Sequence, residues 1–253
     1  MKIAIIGGTG GMGKTLIRFF KQEKIIAFAV GRKTRSKEKI LDESDIIFIS
    51  LPSEFISYAV SLLDSVDISK KLIVSLGSCM IPDAKAMKKI KGPILHIHQL
   101  FGPKTFPFLG QRMIFAGKTK HEGAVFLKKI FRKNKVLISE MDPQKHDKIM
   151  ACTQALSQFS IISLGAALSH SGYSKKELMD ASTVTFRMNV DAIKRITSQK
   201  AALWSHLQIE NIFAGRSLDH FLEASRMFRK FAENKDKKGF EKAFDKMAGF
   251  WNN

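Results

Sequence analysis

The first fifteen residues hold the feature that most constrains this chain: a short apolar run, a glycine-rich loop and a helical pattern. The run Ile3 to Ile6 predicts a buried strand, and the helical pattern opens at Lys14. The G-x-G-x-x-G spacing between them allows a tight turn, a close approach of the backbone to a pyrophosphate, and close packing of helix on strand. A helix N-terminus then offers unpaired N–H groups to the phosphates. The expected cofactor-binding residues of this loop are Gly8, Thr9, Gly10, Gly11, Met12 and Gly13.

The same letters also satisfy a second motif, because Gly8-x-x-x-x-Gly13-Lys14-Thr15 is formally a Walker A loop. A nucleoside triphosphatase of that kind needs an acidic residue at the end of a nearby apolar strand to hold Mg²⁺. The corresponding strand, Asp45 to Pro52, ends without one, which favours the dinucleotide interpretation. Its last residues are further expected cofactor contacts: Ser50, Leu51 and Pro52.

The turn after the second predicted strand, Ile25 to Val30, indicates which dinucleotide binds. NAD-binding units place an acidic residue there for the ribose 2′-hydroxyl, whereas an arginine suits a 2′-phosphate. Here the strand runs into Gly31-Arg32-Lys33-Thr34-Arg35-Ser36, and no acid appears before Glu38. We therefore expect NADP, bound by Arg32 and Lys33, with NAD still possible; the alternative is an exposed basic loop that binds nothing.

Apolar strand patterns alternate with helical patterns through residues 1–141, which we take as the first domain. This alternation is typical of the α/β class, here a Rossmann-type, doubly wound parallel sheet. Ligands of such sheets bind beyond the carboxyl ends of the strands. That rule brings the glycine loop, Ser50 to Ser53, Ser78 and His98 to one crevice. The further predicted strands are Lys71–Leu76, Pro93–Ile97, Met113–Ala116 and Lys135–Ile138, with a helix at Glu122–Phe131.

From Asp142 onward the pattern is helical, so residues 142–253 are predicted to form an all-α domain. Asp142-Pro143 is a helix-start signal, and one long helix is expected to run to about His170. Its segment Ile149 to Leu168 predicts a buried helix, and it is too apolar for a helix with one solvated face. We therefore expect a homodimer formed through this domain. The later predicted helices are Lys175–Met179, Thr183–Thr197, Ala201–Phe213, Ser217–Asn234 and Lys238–Phe250.

The composition narrows the function classes. The 253 residues are 45% hydrophobic and 26% charged, as in soluble globular proteins. The net charge of +19 comes without basic runs interleaved with aromatics, so we favour a solvated lysine-rich surface over a nucleic-acid binder. Two cysteines predict neither a disulfide framework nor a metal site. We expect no signal peptide, no membrane span and a cytoplasmic location.

A few side chains could carry chemistry. His98 stands at the end of an apolar strand, where an imidazole could accept a proton from a substrate hydroxyl, although a structural role is the alternative. Ser78 could orient His98 or bind ligand, or be a simple turn serine. Arg187 and Arg195 lie eight residues apart on one predicted helix and could hold a carboxylate, or only face solvent.

Several motifs together resemble the prephenate and arogenate dehydrogenases, the TyrA family of tyrosine biosynthesis. They are IIGGTGGMGK, SDIIFISLP, SLGS at Ser75–Ser78, HQLFGP at His98–Pro103, KHDKIMACTQALSQF at Lys145–Phe159, and the arginines of AST..FR.......R at Ala181–Arg195. The resemblance covers nearly the whole chain. It implies that His98 engages the ring hydroxyl of the substrate, that Ser78 assists it, and that Arg195, with Arg187, binds a substrate carboxylate.

The implied activity is the NADP-linked oxidative decarboxylation of prephenate to 4-hydroxyphenylpyruvate. Arogenate is the alternative substrate, and an F420-type NADP reductase or a non-catalytic NADP-binding sensor are alternative functions. The chain departs from the family pattern at Gln99 and Leu100, where Pro and Met are usual, at Met80, where a lysine is frequent, and at Gln158, where a histidine is frequent.

Overall fold

The structure, a computed structural model, describes residues 1–117 and 119–252. The chain divides into two compact units, Met1–Ile149 and the residues from Met150 onward. The sequence predicts the boundary at Met141, eight residues earlier. The difference arises because the carboxylate of Asp147 accepts hydrogen bonds from the backbone of Met80 and Ile81, which holds the start of the long helix on the first unit.

The described part of the first unit contains one seven-stranded sheet with the order β2-β1-β3-β4-β5-β6-β7. The direction of strand addition reverses between β1 and β3, and such a switch point is where α/β sheets bind ligands. The strands are β1 (Ile3–Ile6), β2 (Ala27–Val30), β3 (Ile46–Ile49), β4 (Leu72–Ser75), β5 (Ile94–Gln99), β6 (Arg112–Ala116) and β7 (Leu137–Met141).

Helices cover both faces of this sheet, so its central strands are apolar throughout. Every residue of β1, β3 and β4 is buried. Along β1, Ile3 and Ile5 pack in one hydrophobic cluster, and Ala4 and Ile6 pack in another on the opposite face. The helices of this unit are α1 (Gly11–Gln22), α2 (Lys37–Asp42), α3 (Ile56–Leu63), α4 (Met80–Ala86), α5 (Glu122–Lys133) and α6 (Pro143–Met150), with a 3₁₀ turn at Ser53–Phe55.

The sheet departs from the predicted parallel arrangement at one strand pair. Strands β2, β1, β3, β4 and β5 are parallel as expected, but β6 pairs with β5 in the antiparallel direction, with His98 opposite Ile114. The connection from Leu100 to Gln111 contains no helix. A parallel neighbour would require a crossover of a dozen or more residues, usually helical, whereas an antiparallel one can follow a loop.

The second unit is helical throughout its described residues, as the sequence predicts. A π-helical segment (Ala151–Leu156) follows α6 and leads into α7 (Ser157–Ser169). The helical pattern did not reveal this π segment, because it is only six residues long and lies inside a continuous helix. The remaining helices are α8 (Lys175–Asp180), α9 (Val184–Thr197), α10 (Ala201–Ile209), α11 (Ala214–Glu233) and α12 (Lys237–Asn252).

The apolar helix in this unit is far less buried than the sequence suggests. The uninterrupted helical run Pro143–Ser169 is long and apolar enough to cross a membrane by length and composition alone, yet only 17% of its most apolar window is buried. The expectation of a buried helix is therefore wrong for the single chain, because α9, α10 and α11 cover only part of it. Apolar side chains also remain exposed on α12, including Phe244 and Trp251.

We predict that Gly13→Ala destabilises the protein, although alanine is normally favoured over glycine inside a helix by about 1 kcal/mol. A Cβ at Gly13 in α1 would lie 2.4 Å from the carbonyl oxygen of Gly7. The expected loss in the free energy of unfolding, measured with urea, is about 2 kcal/mol or more. The matched control is Gly215→Ala in α11, where a Cβ meets no atom within 4 Å. Equal behaviour of the two variants would contradict the packing described here.

Candidate active site

The glycine loop has the geometry of an anion-binding turn at the switch point. Gly7 has φ of +85°, and a Cβ there would lie 2.2 Å from the carbonyl oxygen of Ser50, so the loop touches the end of β3. Helix α1 begins at Gly11, and no side chain caps it. The backbone N–H groups of Gly11, Met12 and Gly13 have no hydrogen-bond partner among the described residues, which suits a phosphate.

Thr15, the residue that would hold Mg²⁺ in a Walker A loop, directs its hydroxyl group to the protein backbone instead. Its Oγ1 lies within hydrogen-bond distance of the carbonyl oxygens of Gly11 and Pro103, and the residue is buried. This contact ties the glycine loop to the segment that follows His98. Among the described residues, no three His, Cys, Asp or Glu side chains are grouped to hold a metal ion. The geometry therefore favours a dinucleotide over a nucleotide–magnesium complex.

The basic turn after β2 stands next to the glycine loop. A Cβ at Gly31 would lie 2.9 Å from the side chain of Thr9, and the Oγ1 of Thr34 accepts a hydrogen bond from the backbone N–H of Gly31 at 2.9 Å. Arg32 and Lys33 are exposed, and neither has an ion pair with a described residue. Their charges are thus available for an anionic ligand group, as a 2′-phosphate requires.

His98 lies near the end of β5 and is only 3% exposed. Its Nδ1 is 2.9 Å from Nε2 of His146 in α6, and Nδ1 of His146 is 2.7 Å from Oδ1 of Asp147. The carboxylate of Asp147 also accepts from the backbone N–H groups of Met80 and Ile81, each at 2.9 Å. Nε2 of His98 has no hydrogen-bond partner among the described residues, so this nitrogen is available to a ligand.

Burial keeps two histidines of β5 neutral at physiological pH. Desolvation lowers the pKa of His98 to about 3; nearby His146 lowers it further, and Asp147 opposes the shift. Desolvation likewise lowers the pKa of His96 to about 4, with Asp147 opposing and His146 assisting. A neutral imidazole can accept a proton, which is what a general base requires.

Ser78 does not orient His98 in the way the sequence suggests. Ser78 is half-buried in the bend after β4, and no hydrogen bond joins it to His98 among the described residues. His146 takes that position instead. Two other serines at the strand ends, Ser53 and Ser75, donate to the buried carboxylate of Asp83 at 3.0 and 2.8 Å.

Sequence reasoning missed three buried residues near this site: Asp83, His146 and Asp147. His146 and Asp147 stand inside the motif KHDKIM, and the family resemblance of this segment does not single out either residue. An adjacent His-Asp pair at the polar start of an apolar helix was the available signal. Nothing in the local pattern marked Asp83, since its partners come from two different strand ends.

Arg187 and Arg195 lie in α9, within the second unit, and both are exposed. Nη1 of Arg187 donates to the carbonyl oxygen and the hydroxyl of Ser182, at 3.0 and 3.2 Å. A cavity of about 340 Å³ lies between α7, α8 and α9, and neither arginine lines it. The carboxylate-binding role of the two arginines stays a prediction.

The comparisons with known proteins agree with this architecture. Residues 142–246 match the family described as prephenate dehydrogenase, dimerization domain. A protein of Methanocaldococcus jannaschii named "Probable arogenate/prephenate dehydrogenase" is 24% identical over 98% of this chain and 60% of its own length. The T-protein of Haemophilus influenzae is 25% identical over 97% of this chain and 66% of its own length. The chain thus spans less than two thirds of either relative.

A solved structure shows the same fold. The prephenate dehydrogenase from A. aeolicus, in complex with hydroxyphenyl propionate and NAD⁺, superposes with a TM-score of 0.77 at 13% identity, covering 98% of this chain and 96% of that one. The fold and site define a dinucleotide-binding α/β unit followed by a helical unit of the dehydrogenase dimerisation type. The resemblance stated from the motifs is confirmed: the chain is similar to prephenate and arogenate dehydrogenases, and residues 142–246 match the dimerization-domain family.

The low pKa values of His96 and His98 predict that acid destabilises the protein. Both pKa values lie below the 6.5 of an unfolded histidine, so the unfolded chain binds protons that the folded chain excludes. The stabilisation is complete above pH 6.5 and is lost as pH falls toward 4. Each group contributes up to about 1.4 kcal/mol per pH unit once pH is well below 6.5, so from pH 6.5 to 5 the loss from both groups is roughly 3 kcal/mol.

Urea unfolding at several pH values measures this slope. His96→Leu removes one of the two groups and should make the slope shallower. The control His220→Gln changes an exposed histidine and should keep the wild-type slope. A slope that is the same in all three proteins would contradict the burial of a neutral His96.

Proposed function

We propose that this protein is an NAD(P)-dependent dehydrogenase that oxidatively decarboxylates prephenate to 4-hydroxyphenylpyruvate in tyrosine biosynthesis, with arogenate as the alternative substrate. The observation that carries this is the buried, neutral His98, whose Nδ1 is bound by His146 and whose Nε2 is left to a ligand. His98 lies in the same compact unit as the glycine loop. The match of residues 142–246 to the dimerization-domain family and the name of the Methanocaldococcus jannaschii relative support the assignment.

The residues of the first unit fit a dinucleotide. The free N–H groups at the start of α1 suit the pyrophosphate, and Ser50, Leu51 and Pro52 follow β3 where the loop of Gly7 touches it. When bound, the nicotinamide supplies the acceptor for a hydride. The A. aeolicus relative was solved with NAD⁺. For this chain we propose NADP, because Arg32 and Lys33 occupy the position of the usual ribose-binding acid.

His98 handles the proton in the proposed reaction. Hydride leaves the ring carbon that bears the hydroxyl group, and the hydroxyl proton passes to Nε2 of His98. The ring carboxylate then leaves as CO₂, and the electrons of the broken bond complete the aromatic ring. The ring oxygen takes a proton back, so His98 ends neutral. We propose that Ser78 contacts the substrate and that Arg195, with Arg187, binds a substrate carboxylate.

The exposed apolar faces of the helical unit support a homodimer. Helix α7 has no buried residue, and α12 exposes aromatic side chains; clustered exposed apolar side chains mark protein interaction sites. We propose that a second copy covers these faces through residues 142–253. The description of the matching family as a dimerization domain supports this assembly.

The decisive experiment is a spectrophotometric assay at 340 nm of four pairings, prephenate or arogenate with NADP⁺ or NAD⁺, with the aromatic product identified by chromatography. We expect turnover with prephenate and NADP⁺ above the other pairings. Turnover with arogenate alone would assign the alternative substrate. Bound NADP⁺ without turnover in any pairing would refute the proposed enzyme and support a non-catalytic sensor or a reductase of another substrate.

We predict that His98→Asn lowers kcat by a factor of about 100 or more, because the asparagine amide cannot accept the hydroxyl proton. Binding of NADP⁺, followed by fluorescence titration, should be unchanged. The control is His170→Asn, which alters an exposed histidine in the second unit. A variant at His98 that turns over at the wild-type rate would rule out its role as the base.

We predict that Arg32→Ala weakens NADP⁺ binding by about tenfold or more and leaves NAD⁺ binding nearly unchanged. The lost interaction is a charge-assisted hydrogen bond to the 2′-phosphate, worth about 1.5–3 kcal/mol. Isothermal titration of both cofactors measures the two effects. Arg226→Ala, an exposed arginine on α11, is the matched control. Equal weakening of NADP⁺ and NAD⁺ would show that Arg32 does not read the 2′-phosphate.

A further inference from the structure

We infer that His146 and Asp147 are positioning residues that hold His98 in the tautomer with the proton on Nδ1 and the lone pair on Nε2. This role rests on the function proposed above, in which Nε2 of His98 accepts the substrate's hydroxyl proton. The three residues form one hydrogen-bonded chain, with distances of 2.7 Å from Asp147 to His146 and 2.9 Å from His146 to His98.

The direction of the hydrogen bonds follows from the carboxylate end of the chain. Asp147 is fully buried and accepts from two backbone N–H groups, those of Met80 and Ile81, which have only protons to offer. Both carboxylate oxygens therefore act as acceptors, and an ionised carboxylate can only accept. Nδ1 of His146 must therefore carry a proton and donate it to Oδ1.

The donor and acceptor roles of the two imidazole rings follow in the same way. A neutral His146 with its proton on Nδ1 has a lone pair on Nε2, and this lone pair faces Nδ1 of His98. Nδ1 of His98 therefore donates, which leaves the lone pair on Nε2 of His98. Each ring nitrogen in the chain has one role, so reversing any single bond would place two lone pairs or two protons against each other.

Burial makes this arrangement hard to disturb. His146 and Asp147 are both fully buried, so water does not compete for their hydrogen bonds. The titratable groups facing His98 are His96 from its own strand and the His146–Asp147 pair from α6. The Nδ1 of His96 has no hydrogen-bond partner in the described part of the chain, so His96 does not offer His98 an alternative acceptor.

The hydrogen-bonded chain also stabilises the positive charge that forms on His98 during the reaction. When Nε2 of His98 accepts a proton, the ring becomes a cation in a buried place where burial lowers its pKa. Its Nδ1–H then points along the chain toward the fixed negative charge of Asp147. The carboxylate thus stabilises the transient imidazolium through His146, and no proton needs to leave the site.

Asp147→Asn tests this assignment because it removes the negative charge and one of the two acceptor oxygens. Met80 and His146 contact Oδ1 and Ile81 contacts Oδ2, so either orientation of the amide sets its NH₂ group against a backbone N–H group. Where the NH₂ group takes the place of Oδ1, it donates to Nδ1 of His146 and the proton of His98 moves to Nε2, so the single tautomer of His98 is lost. We expect kcat to fall by about 10² to 10⁴ while the KM for substrate and the affinity for NADP⁺ change less than threefold.

The matched control is Asp142→Asn on the same helix. Asp142 caps the start of α6 through the backbone N–H of Lys145, and asparagine caps nearly as well. This variant should keep wild-type activity. If Asp147→Asn fails to fold, His146→Gln and His146→Leu replace it: glutamine retains an acceptor for Nδ1 of His98 and should keep more activity than leucine.

Nuclear magnetic resonance of ¹⁵N-histidine-labelled protein separates this inference from the proposed reaction. In the wild type without substrate, two-bond N–H couplings should show His98 protonated on Nδ1 and unprotonated on Nε2. In His146→Leu, where Nδ1 of His98 loses its acceptor, this preference should be lost. A wild-type His98 protonated on Nε2 would overturn the inference even if the enzyme is active. The expected tautomer in a protein without turnover would contradict only the proposed reaction.

Discussion

The buried carboxylate of Asp147 is the interaction on which the site depends. It accepts from the backbone at the start of α4 and from His146, and so connects the segment after β4 with α6. A buried charge is tolerated only when donors surround it, and here the donors come from elements more than 60 residues apart in sequence. The same contacts hold α6 on the first unit and explain why that unit extends to Ile149.

A second constraint is that the polypeptide reverses direction after β5 and pairs with this strand again as β6. Because β6 runs antiparallel to β5, the connection is a loop, and this loop brings Pro103 against Gly11 and Thr15. The strand that carries His98 is thereby linked to the loop that would bind the pyrophosphate. A dehydrogenase needs this closeness, because the proton acceptor and the hydride acceptor must serve the same carbon of the substrate.

Much of the fold was readable because it follows from local periodicity. The glycine loop, the unalternating apolar strands and the helix-start signal at Asp142 each reflect chemistry within a few neighbouring residues. The antiparallel β6 was not readable, since Met113 to Ala116 is equally apolar in either direction. The burial predicted for Ile149 to Leu168 was also wrong for the single chain. A sequence pattern shows that a helix is apolar, but it does not show which other elements cover that helix.

The sequence by itself determined a dinucleotide-type glycine loop, a basic turn after β2, a histidine at the end of β5 and the family resemblance. Those features are set by residue type and spacing. Only the tertiary structure decided that His98 is buried and neutral, that its partner is His146 and not Ser78, and that Asp147 anchors both. The contacts of His98 with His146 and of Met80 with Asp147 join residues 48 or more positions apart, and the direction of a hydrogen bond depends on which atoms the fold brings together.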